Sequence, residues 1–338
     1  MTAARSASVE GGGGRREGAA PLRLGTRRSK LAMAQSGQVA DAVRELTGRP
    51  VELVEITTYG DTSREALAQI GGTGVFVSAL RDALLAGDVD FAVHSLKDLP
   101  TAAPEGLTLA AVPRREDPRD VLVARDGLTF EQLPDGARVG TGSPRRMAQL
   151  NAWARQLDRR IETVAIRGNI DTRVGYVTSG ELDAVVLAAA GLTRIGRLGP
   201  VTEFIDTDAV LPAPGQGALA VECAARDTAL ADALARLDDP ATRAAVTAER
   251  SLLAALEAGC SAPVGALAEP STHGSGAHQV TELRLRGVVG TTDGTTLMQM
   301  SATGGLPASH DEAVALGREL AEEMLAKGAA GLMGERAL

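Results

Sequence analysis

The chain has 338 residues, of which 44% are hydrophobic and 23% are charged, so it can form two or three domains and is not a disordered chain. Its net charge of −8 and its 2% aromatic content argue against nucleic acid as the main partner, because phosphates require a basic surface and bases stack on aromatic rings. All but three of its 35 basic residues are arginine, which makes forked contacts with carboxylates, so a local cluster can still bind an acidic ligand.

The N-terminal stretch 1–20 has no apolar segment, so we expect a disordered tail without a secretory signal. No run of about 18 apolar residues occurs, and we expect no membrane span and a cytoplasmic location. The two cysteines, Cys223 and Cys260, provide no disulfide framework. Four histidines and two cysteines, widely spread, predict no metal cluster.

Strand-like and helix-like segments alternate from Leu22 to about residue 112. The predicted strands are LRLG, VELVEIT (51–57), DFAVHS (90–95) and LTLAAV (107–112), and the predicted helices cover about 29–46 and 75–86. A glycine-rich loop, GGTG (71–74), precedes the second helix and is a weak signal for anion binding.

A second alternating block follows the sequence EDPRD. The predicted strands lie at 121–124, 138–140, 163–166 and 183–188, with helices beginning near Pro144 and Asn169. Strands that alternate with helices imply parallel sheets with crossovers, and the two blocks are candidates for the same architecture. The segment LPAPGQGALAVEC (211–223) ends in a strand that is a candidate for crossing back to the first block.

The third block begins near residue 240 and has a different pattern. It predicts helices at about 241–257 and 311–327, with an alternating strand at 283–289 and a second strand at 296–300. Helices beside a few hairpin-type strands indicate a small α+β domain.

Arginines follow the predicted strands at the points where helices begin. Ligands of open parallel sheets bind beyond the carboxyl ends of the strands. Ser143 is a suitable N-cap and Pro144 suits the first turn, so the helix that carries Arg145 and Arg146 begins with an anion site. Further arginines at such junctions are Arg27, Arg28, Arg167, Arg173 and Arg194. Any one of them is more simply a solvated surface residue, but the set favours a ligand with several carboxylates or a phosphate.

Asp98 lies beside Lys97 just after the predicted strand at 90–95. A carboxylate next to a lysine stays ionised and can stabilise a cation or move a proton, although an ion pair or a helix cap is the commoner role of such a residue. His94 is more simply a structural histidine. Cys260 follows Gly259 beyond a helix and, from the residues alone, is an ordinary loop cysteine.

Together these motifs resemble the porphobilinogen deaminase family, also called hydroxymethylbilane synthases, from about Leu22 to the C-terminus. The matching segments are LGTRRSKLAMAQ, GGTGVF, AVHSLKDLP, EDPRD, VGTGSPRR, IRGNIDTR, DAVVLAAAGLTR, LPAPGQGALAVEC and TAERSLLAALEAGCSAPVG. The resemblance implies an α/β fold with two periplasmic-binding-protein-like α/β domains around a cleft plus a small α+β C-terminal domain. The implied divisions are a tail at 1–20, a first α/β domain at 21–117 and 216–236, a second at 118–215, and a cofactor-carrying domain at 237–338.

The resemblance also implies a monomeric transferase of tetrapyrrole (heme) biosynthesis. Four porphobilinogen molecules would be joined head to tail, with release of ammonia, on a dipyrromethane cofactor held by a thioether to Cys260, and hydrolysis would free hydroxymethylbilane. Asp98 would contact pyrrole N–H groups and stabilise the positive charge left by ammonia, supported by Lys97 and Gln216. The carboxylates of cofactor or substrate would be bound by Arg27, Ser29, Ser143, Arg145, Arg146, Arg167, Arg173 and Arg194.

Two features of the sequence depart from the family pattern. Many relatives have lysine where this chain has Gln69 and Thr73, and often an apolar residue in place of Pro144. The main alternative function is a non-catalytic anion-binding protein of the same two-lobed shape, which leaves Asp98 and Cys260 unexplained. A thiol-dependent acyl transferase is a weaker alternative, because no histidine accompanies a cysteine in any motif. Both alternatives predict that the purified protein carries no covalent pyrrole.

Overall fold

The computed structural model describes residues 20–57, 74–258, 262–273, 280–307 and 309–333. Within these ranges the chain forms two five-stranded sheets and one three-stranded sheet, with helices packed against them. None of the helices in these ranges has the length and apolar character needed to cross a membrane. The same ranges contain no group of three or more His, Cys, Asp or Glu side chains arranged to hold a metal ion.

The bounds of the elements follow the chain order. The strands are β1 (Leu22–Thr26), β2 (Val51–Glu55), β3 (Phe91–Ser95), β4 (Leu107–Ala111), β5 (Asp120–Ala124), β6 (Ala137–Gly140), β7 (Ile161–Val164), β8 (Ala184–Ala188), β9 (Glu203–Phe204), β10 (Leu219–Ala224), β11 (Val264–His273), β12 (Val280–Gly290) and β13 (Leu297–Gly305). The helices are α1 (Lys30–Thr47), α2 (Gly74–Ala86), α3 (Pro144–Gln156), α4 (Ile170–Thr178), α5 (Ala189–Arg194), α6 (Thr228–Ala235), α7 (Pro240–Ala255), α8 (His310–Ala326) and α9 (Ala329–Leu332).

The first sheet has the order β2-β1-β3-β10-β4. β1 is parallel to β2 and β3, whereas β10 runs antiparallel to both β3 and β4. All six residues of β10 are buried, because helices cover both faces of the sheet at its centre. The expectation that the segment at 211–223 returns to the first block is therefore confirmed.

The second sheet, with the order β7-β6-β8-β5-β9, repeats this plan. β6 is parallel to β7 and β8, and β5 is antiparallel to β8 and β9. The similarity of the two blocks is thus confirmed. The expected parallel pairing is present between β1, β2 and β3 and between β6, β7 and β8, but each sheet also contains one strand that runs in the opposite direction. The chain crosses between the sheets twice, and each crossing delivers one strand in the opposite direction. Apolar periodicity does not encode strand direction, so the sequence could not show this.

Local sequence explains where the helices that face the site begin. Ser29 caps α1 by accepting a hydrogen bond from the Ala32 amide at 3.2 Å, and Gly48 ends it in the left-handed conformation, with φ of 68°. Asn169 caps α4 through the Thr172 amide at 2.9 Å. Ser143 occupies the N-cap position of α3 ahead of Pro144, as predicted, but its hydroxyl caps no amide of the helix.

The third sheet is antiparallel, with the order β11-β12-β13, and packs against α7 and α8. Leu252, Leu285 and Leu320 lie fully buried in the core between the sheet and these helices. The small α+β unit is confirmed. The predicted strand at 283–289 lies within β12, and the one at 296–300 overlaps β13 from Leu297 on. The sequence reading missed β9, β11, α5, α6 and α9.

Candidate active site

A short 3₁₀ turn, Leu96–Asp98, places Lys97 and Asp98 at the carboxyl end of β3. Its apolar Leu96 is fully buried, while both functional side chains remain partly exposed. The Lys97 ammonium donates to Gln216 Oε1 over 3.3 Å. Burial lowers the pKa of Lys97 to about 8, although the nearby Asp98 carboxylate favours the charged form. Lys97 can therefore exchange a proton near neutral pH.

Asp120, the first residue of β5, is fully buried and pairs with two arginines. Its Oδ2 accepts from Arg145 Nη2 at 2.8 Å, and its Oδ1 accepts from Arg146 Nη2 at 2.7 Å. Burial alone would raise the pKa of Asp120, but the two guanidinium groups hold it far below its usual range. Asp120 is therefore an anion inside the protein, and one negative charge offsets two positive charges.

Arg145 and Arg146, which we expected to bind ligand carboxylates, also bind groups of the protein itself. Both side chains are buried and each also donates to a backbone carbonyl, Arg145 to Leu211 and Arg146 to Val186. The Nε–H group of each is buried without an acceptor in the described part of the chain. These arginines are thus held in place from within by Asp120, a residue that the sequence reading did not identify.

Gln216 connects the arginine cluster to Lys97. Its Nε2 donates to the carbonyl of Pro118 at 2.7 Å and to Asp120 Oδ1 at 2.8 Å, while its Oε1 accepts from Lys97. The structure therefore brings together Lys97, Gln216, Arg145 and Arg146, all of which the sequence singled out.

The two crossings of the chain touch one another beside this cluster. Gly217 has a φ of 88°, and a Cβ at this position would lie 2.5 Å from the carbonyl oxygen of Glu116. Only glycine permits this approach and this conformation together. The Gly217 carbonyl accepts from Arg194 Nη2 at 2.6 Å, and burial lowers the pKa of Arg194. Arg194 also has a buried Nε–H group without a described acceptor.

Arg173, on α4, adds further positive charge to this region. It is partly buried and donates to the Gly168 carbonyl at 2.8 Å. Burial lowers its pKa, and the charges of Arg146 and Arg167 lower it further, so these three guanidinium groups repel one another. A bound anion would relieve this repulsion.

The remaining predicted side chains lie at the ends of the same helices and strands. Arg27 follows β1 and is partly buried, and Arg167 precedes α4 and is exposed. Ser29 serves as the N-cap of α1, whereas the Ser143 hydroxyl is not used for capping. Cys260, the loop at 71–73, Gln69 and the substituted Thr73 lie outside the described residues.

His94 lies away from this cluster and contacts another buried acid. Its Nε2 is 3.3 Å from Glu222 Oε2, and Arg81 on α2 makes a two-point ion pair with the same carboxylate at 2.7 and 3.0 Å. Burial would raise the pKa of Glu222, but His94 and Arg81 lower it to about 2. This arrangement is consistent with a structural histidine that helps to hold α2 on the first sheet.

The sequence reading also missed two neighbouring residues of α7, Glu249 and Arg250. Glu249 is fully buried, pairs with Arg115 at 2.6 Å, and accepts from the backbone amides of Gly215 and Ala268. Arg250 donates to backbone carbonyls around the Leu96–Asp98 turn. Both sets of contacts span large separations in the chain, so no local pattern could have revealed them.

Comparison with known proteins identifies relatives along most of the chain. Residues 22–232 match the family model described as "Porphobilinogen deaminase, dipyromethane cofactor binding domain", and residues 243–326 match "Porphobilinogen deaminase, C-terminal domain". The chain is 78% identical over 320 residues to Porphobilinogen deaminase 1 of Streptomyces avermitilis, covering 93% of this chain and 98% of the relative. It is 76% identical over 316 residues to Porphobilinogen deaminase 1 of Streptomyces coelicolor, covering 94% and 98%.

Among solved structures, the chain is similar to a probable amino-acid ABC transporter extracellular-binding protein, ytmK, from Bacillus subtilis. The two are 13% identical with a TM-score of 0.40, over 64% of this chain and 89% of the other.

Proposed function

The chain belongs to the porphobilinogen deaminase family, and from this premise we propose that it joins four porphobilinogen molecules head to tail, releases ammonia and frees hydroxymethylbilane by hydrolysis. Its N-terminal family segment is the dipyrromethane cofactor binding domain, so dipyrromethane is its cofactor. The observation that best supports the proposal is the buried cluster in which Arg145 and Arg146 share the single carboxylate of Asp120. Its excess positive charge suits rings that carry acetate and propionate groups.

The described residues fit an acidic cofactor. The Nε–H groups of Arg145, Arg146 and Arg194 are buried without acceptors in the described ranges, and an unsatisfied buried donor costs free energy. A ligand carboxylate near these guanidinium groups would supply acceptors and offset their mutual repulsion. We place the carboxylates of cofactor and substrate against the residues named from the sequence, which are Arg27, Ser29, Ser143, Arg145, Arg146, Arg167, Arg173 and Arg194.

Cys260 is the proposed attachment residue for the cofactor. It follows the end of α7 by five residues, so the helix that binds the Leu96–Asp98 turn also leads to the cysteine. When bound, the dipyrromethane supplies the pyrrole carbon to which the next unit is joined.

Asp98 is the proposed catalytic residue. Its carboxylate is partly exposed, and no described side chain donates a hydrogen bond to it. It can therefore accept hydrogen bonds from pyrrole N–H groups and stabilise positive charge as ammonia departs. Lys97 supports this role, because its ammonium interacts electrostatically with Asp98 and has a pKa of about 8. Gln216 holds the Lys97 ammonium by accepting its hydrogen bond.

Further details belong to the same proposal. We assign the protein to the transferases, place it in the cytoplasm and expect a monomer without nucleic-acid or membrane partners. We propose domains at 21–117 with 216–236, at 118–215 and at 237–338. The first division is supported by β10 and by Leu230 and Leu234 of α6, which pack in the core of the first sheet.

The test is to incubate the purified protein with porphobilinogen while measuring ammonia release and hydroxymethylbilane formation, and to measure the intact mass of the denatured protein. We expect both products and a mass increment equal to one dipyrromethane. Binding of porphobilinogen without products and without a covalent increment would instead identify a non-catalytic anion-binding protein.

A further inference from the structure

Arg250 binds the backbone on both sides of the proposed catalytic residues. Its Nη1 donates to the carbonyl oxygens of Leu96 at 3.2 Å and Leu99 at 2.9 Å, and its Nη2 donates to that of Pro100 at 2.6 Å. A single planar guanidinium group therefore holds three carbonyls that enclose Lys97 and Asp98 in the chain. Arginine suits this role because its donors point in fixed, divergent directions.

Other contacts also hold the turn, since Leu96 and Leu99 are buried in an apolar cluster and Lys97 donates to Gln216. The Leu99 amide donates to the Leu96 carbonyl at 3.1 Å, and the Leu96 amide donates to the Ala218 carbonyl at 3.0 Å. The Asp98 carboxylate receives no hydrogen bond from the described side chains, so its position follows from the path of the backbone. The contacts of Arg250 add three anchors to this backbone and so contribute to the position of Asp98.

The neighbouring residue fixes the helix that carries Arg250. Glu249 contacts Arg115 through two hydrogen bonds of 2.6 and 3.1 Å and accepts from the Gly215 amide at 2.7 Å. Successive residues of a helix point about 100° apart, so α7 can bind the inter-sheet crossing through Glu249 and the turn through Arg250. In the sequence, Glu249 and Arg250 precede Cys260 by 11 and 10 residues.

We infer that Arg250 is a positioning residue, which holds the Lys97–Asp98 turn at a fixed place relative to the helix that leads to Cys260. This inference rests on the proposed function. These three contacts of Arg250 are to backbone carbonyls that flank Lys97 and Asp98, so its loss should displace the Lys97–Asp98 turn. A displacement of about 1 Å in a catalytic group can lower a rate by about 100-fold. The expected effect is therefore on kcat rather than on KM or on cofactor attachment.

The test compares Arg250→Met, Arg250→Lys and the control Arg243→Met with the wild-type holoenzyme. Arg243 lies on the same helix and also donates to carbonyls of the first sheet, those of Leu109 and Ala110, but at 3.4 Å and away from the turn. We expect Arg250→Met to retain the dipyrromethane mass increment, to keep KM within about twofold and to lose about tenfold to 100-fold in kcat. Arg243→Met should stay within about twofold of the wild-type kcat.

Arg250→Lys tests whether the forked guanidinium geometry is needed in addition to the positive charge. It also provides the test if Arg250→Met does not fold. Lysine retains the charge but cannot hold three divergent carbonyls, so its kcat should also fall, by a smaller factor. Wild-type kcat in Arg250→Lys, or equal kcat in Arg250→Met and Arg243→Met, would overturn the inference. Loss of the covalent cofactor, or a change confined to KM, would overturn it as well. If the wild-type protein itself fails to turn over porphobilinogen, the proposed function is at fault.

Discussion

The side-chain amide of Gln216 donates to the carboxylate of Asp120 across 2.8 Å. Gln216 lies just before β10 of the first sheet, whereas Asp120 begins β5 of the second, so this bond joins the two sheets. The same carboxylate holds Arg145 and Arg146. One buried acid therefore both organises the arginines and links them to Lys97 through Gln216.

Replacement of Asp120 by Asn should destabilise the protein strongly. The change leaves two buried guanidinium groups without their counter-charge, and breaking a buried pair in this way costs about 3–5 kcal/mol. The measurement is the free energy of unfolding from urea titration at pH 7. The control is Asp41→Asn, since Asp41 is 72% exposed in a surface pair with Arg44 and its loss should hardly change the midpoint. Equal midpoints for both variants would show that the buried pairing contributes little.

Replacement of Asp98 by Asn should preserve the fold and lower kcat roughly 100-fold or more. The amide has the same shape, but it lacks the charge that stabilises a developing cation. Steady-state kinetics with porphobilinogen measure the effect, and thermal unfolding checks that the fold is intact. Asp82→Asn, an exposed change on α2, is the matched control and should keep the wild-type rate. Near-normal turnover in Asp98→Asn would rule out the proposed role.

Replacement of Cys260 by Ala should abolish the covalent dipyrromethane increment in the intact mass. The control is Cys223→Ala, which should retain the increment. Cys223 is fully buried in β10, and burial raises the pKa of its thiol to about 11, so it remains protonated and enclosed. An increment that persists in Cys260→Ala but disappears in Cys223→Ala would show that the cofactor is attached to Cys223 and would contradict the proposal.

The pH dependence of kcat/KM should report the ionisation of Lys97. Burial lowers its pKa to about 8, so the ammonium form predominates at pH 7 and the neutral amine above about pH 8. We expect kcat/KM to fall as the pH rises through this value, because the positive charge beside Asp98 is lost. Lys97→Arg keeps its charge over the whole range and should shift the fall to higher pH. Lys327→Arg, a change in a surface pair with Glu323, should leave the profile unaltered.

An identical alkaline fall in the wild-type protein and in Lys97→Arg would assign that ionisation to another group.

The sequence singled out several residues of the candidate site because their signals are local. Ser143, Pro144, Arg145 and Arg146 are contiguous, and their place at a helix start follows from capping preferences alone. Asp120 was missed because its partners lie 25 and 26 residues away, on a helix whose packing no short pattern records. Arg250 was missed for the same reason, since its acceptors are 150 to 154 residues distant.

The fold shows the same division between local and distant information. Apart from β9, the strands of both blocks and their long helices were found from apolar periodicity, but the direction of β5 and β10 was not. Strand direction depends on which sheet the chain enters, and this is settled by packing between distant segments.

The position of β10 also determines the order in which the sheets can be completed as the chain is synthesised. β5 to β9 all precede β10, so the second sheet has its five strands while the first still lacks the strand between β3 and β4. A nascent chain that ends at residue 218 exposes the edge of β3, and an unpaired edge invites pairing with other chains. The N-terminal sheet is therefore the later of the two to mature, and during translation its protection from aggregation depends on how fast residues 219–224 follow.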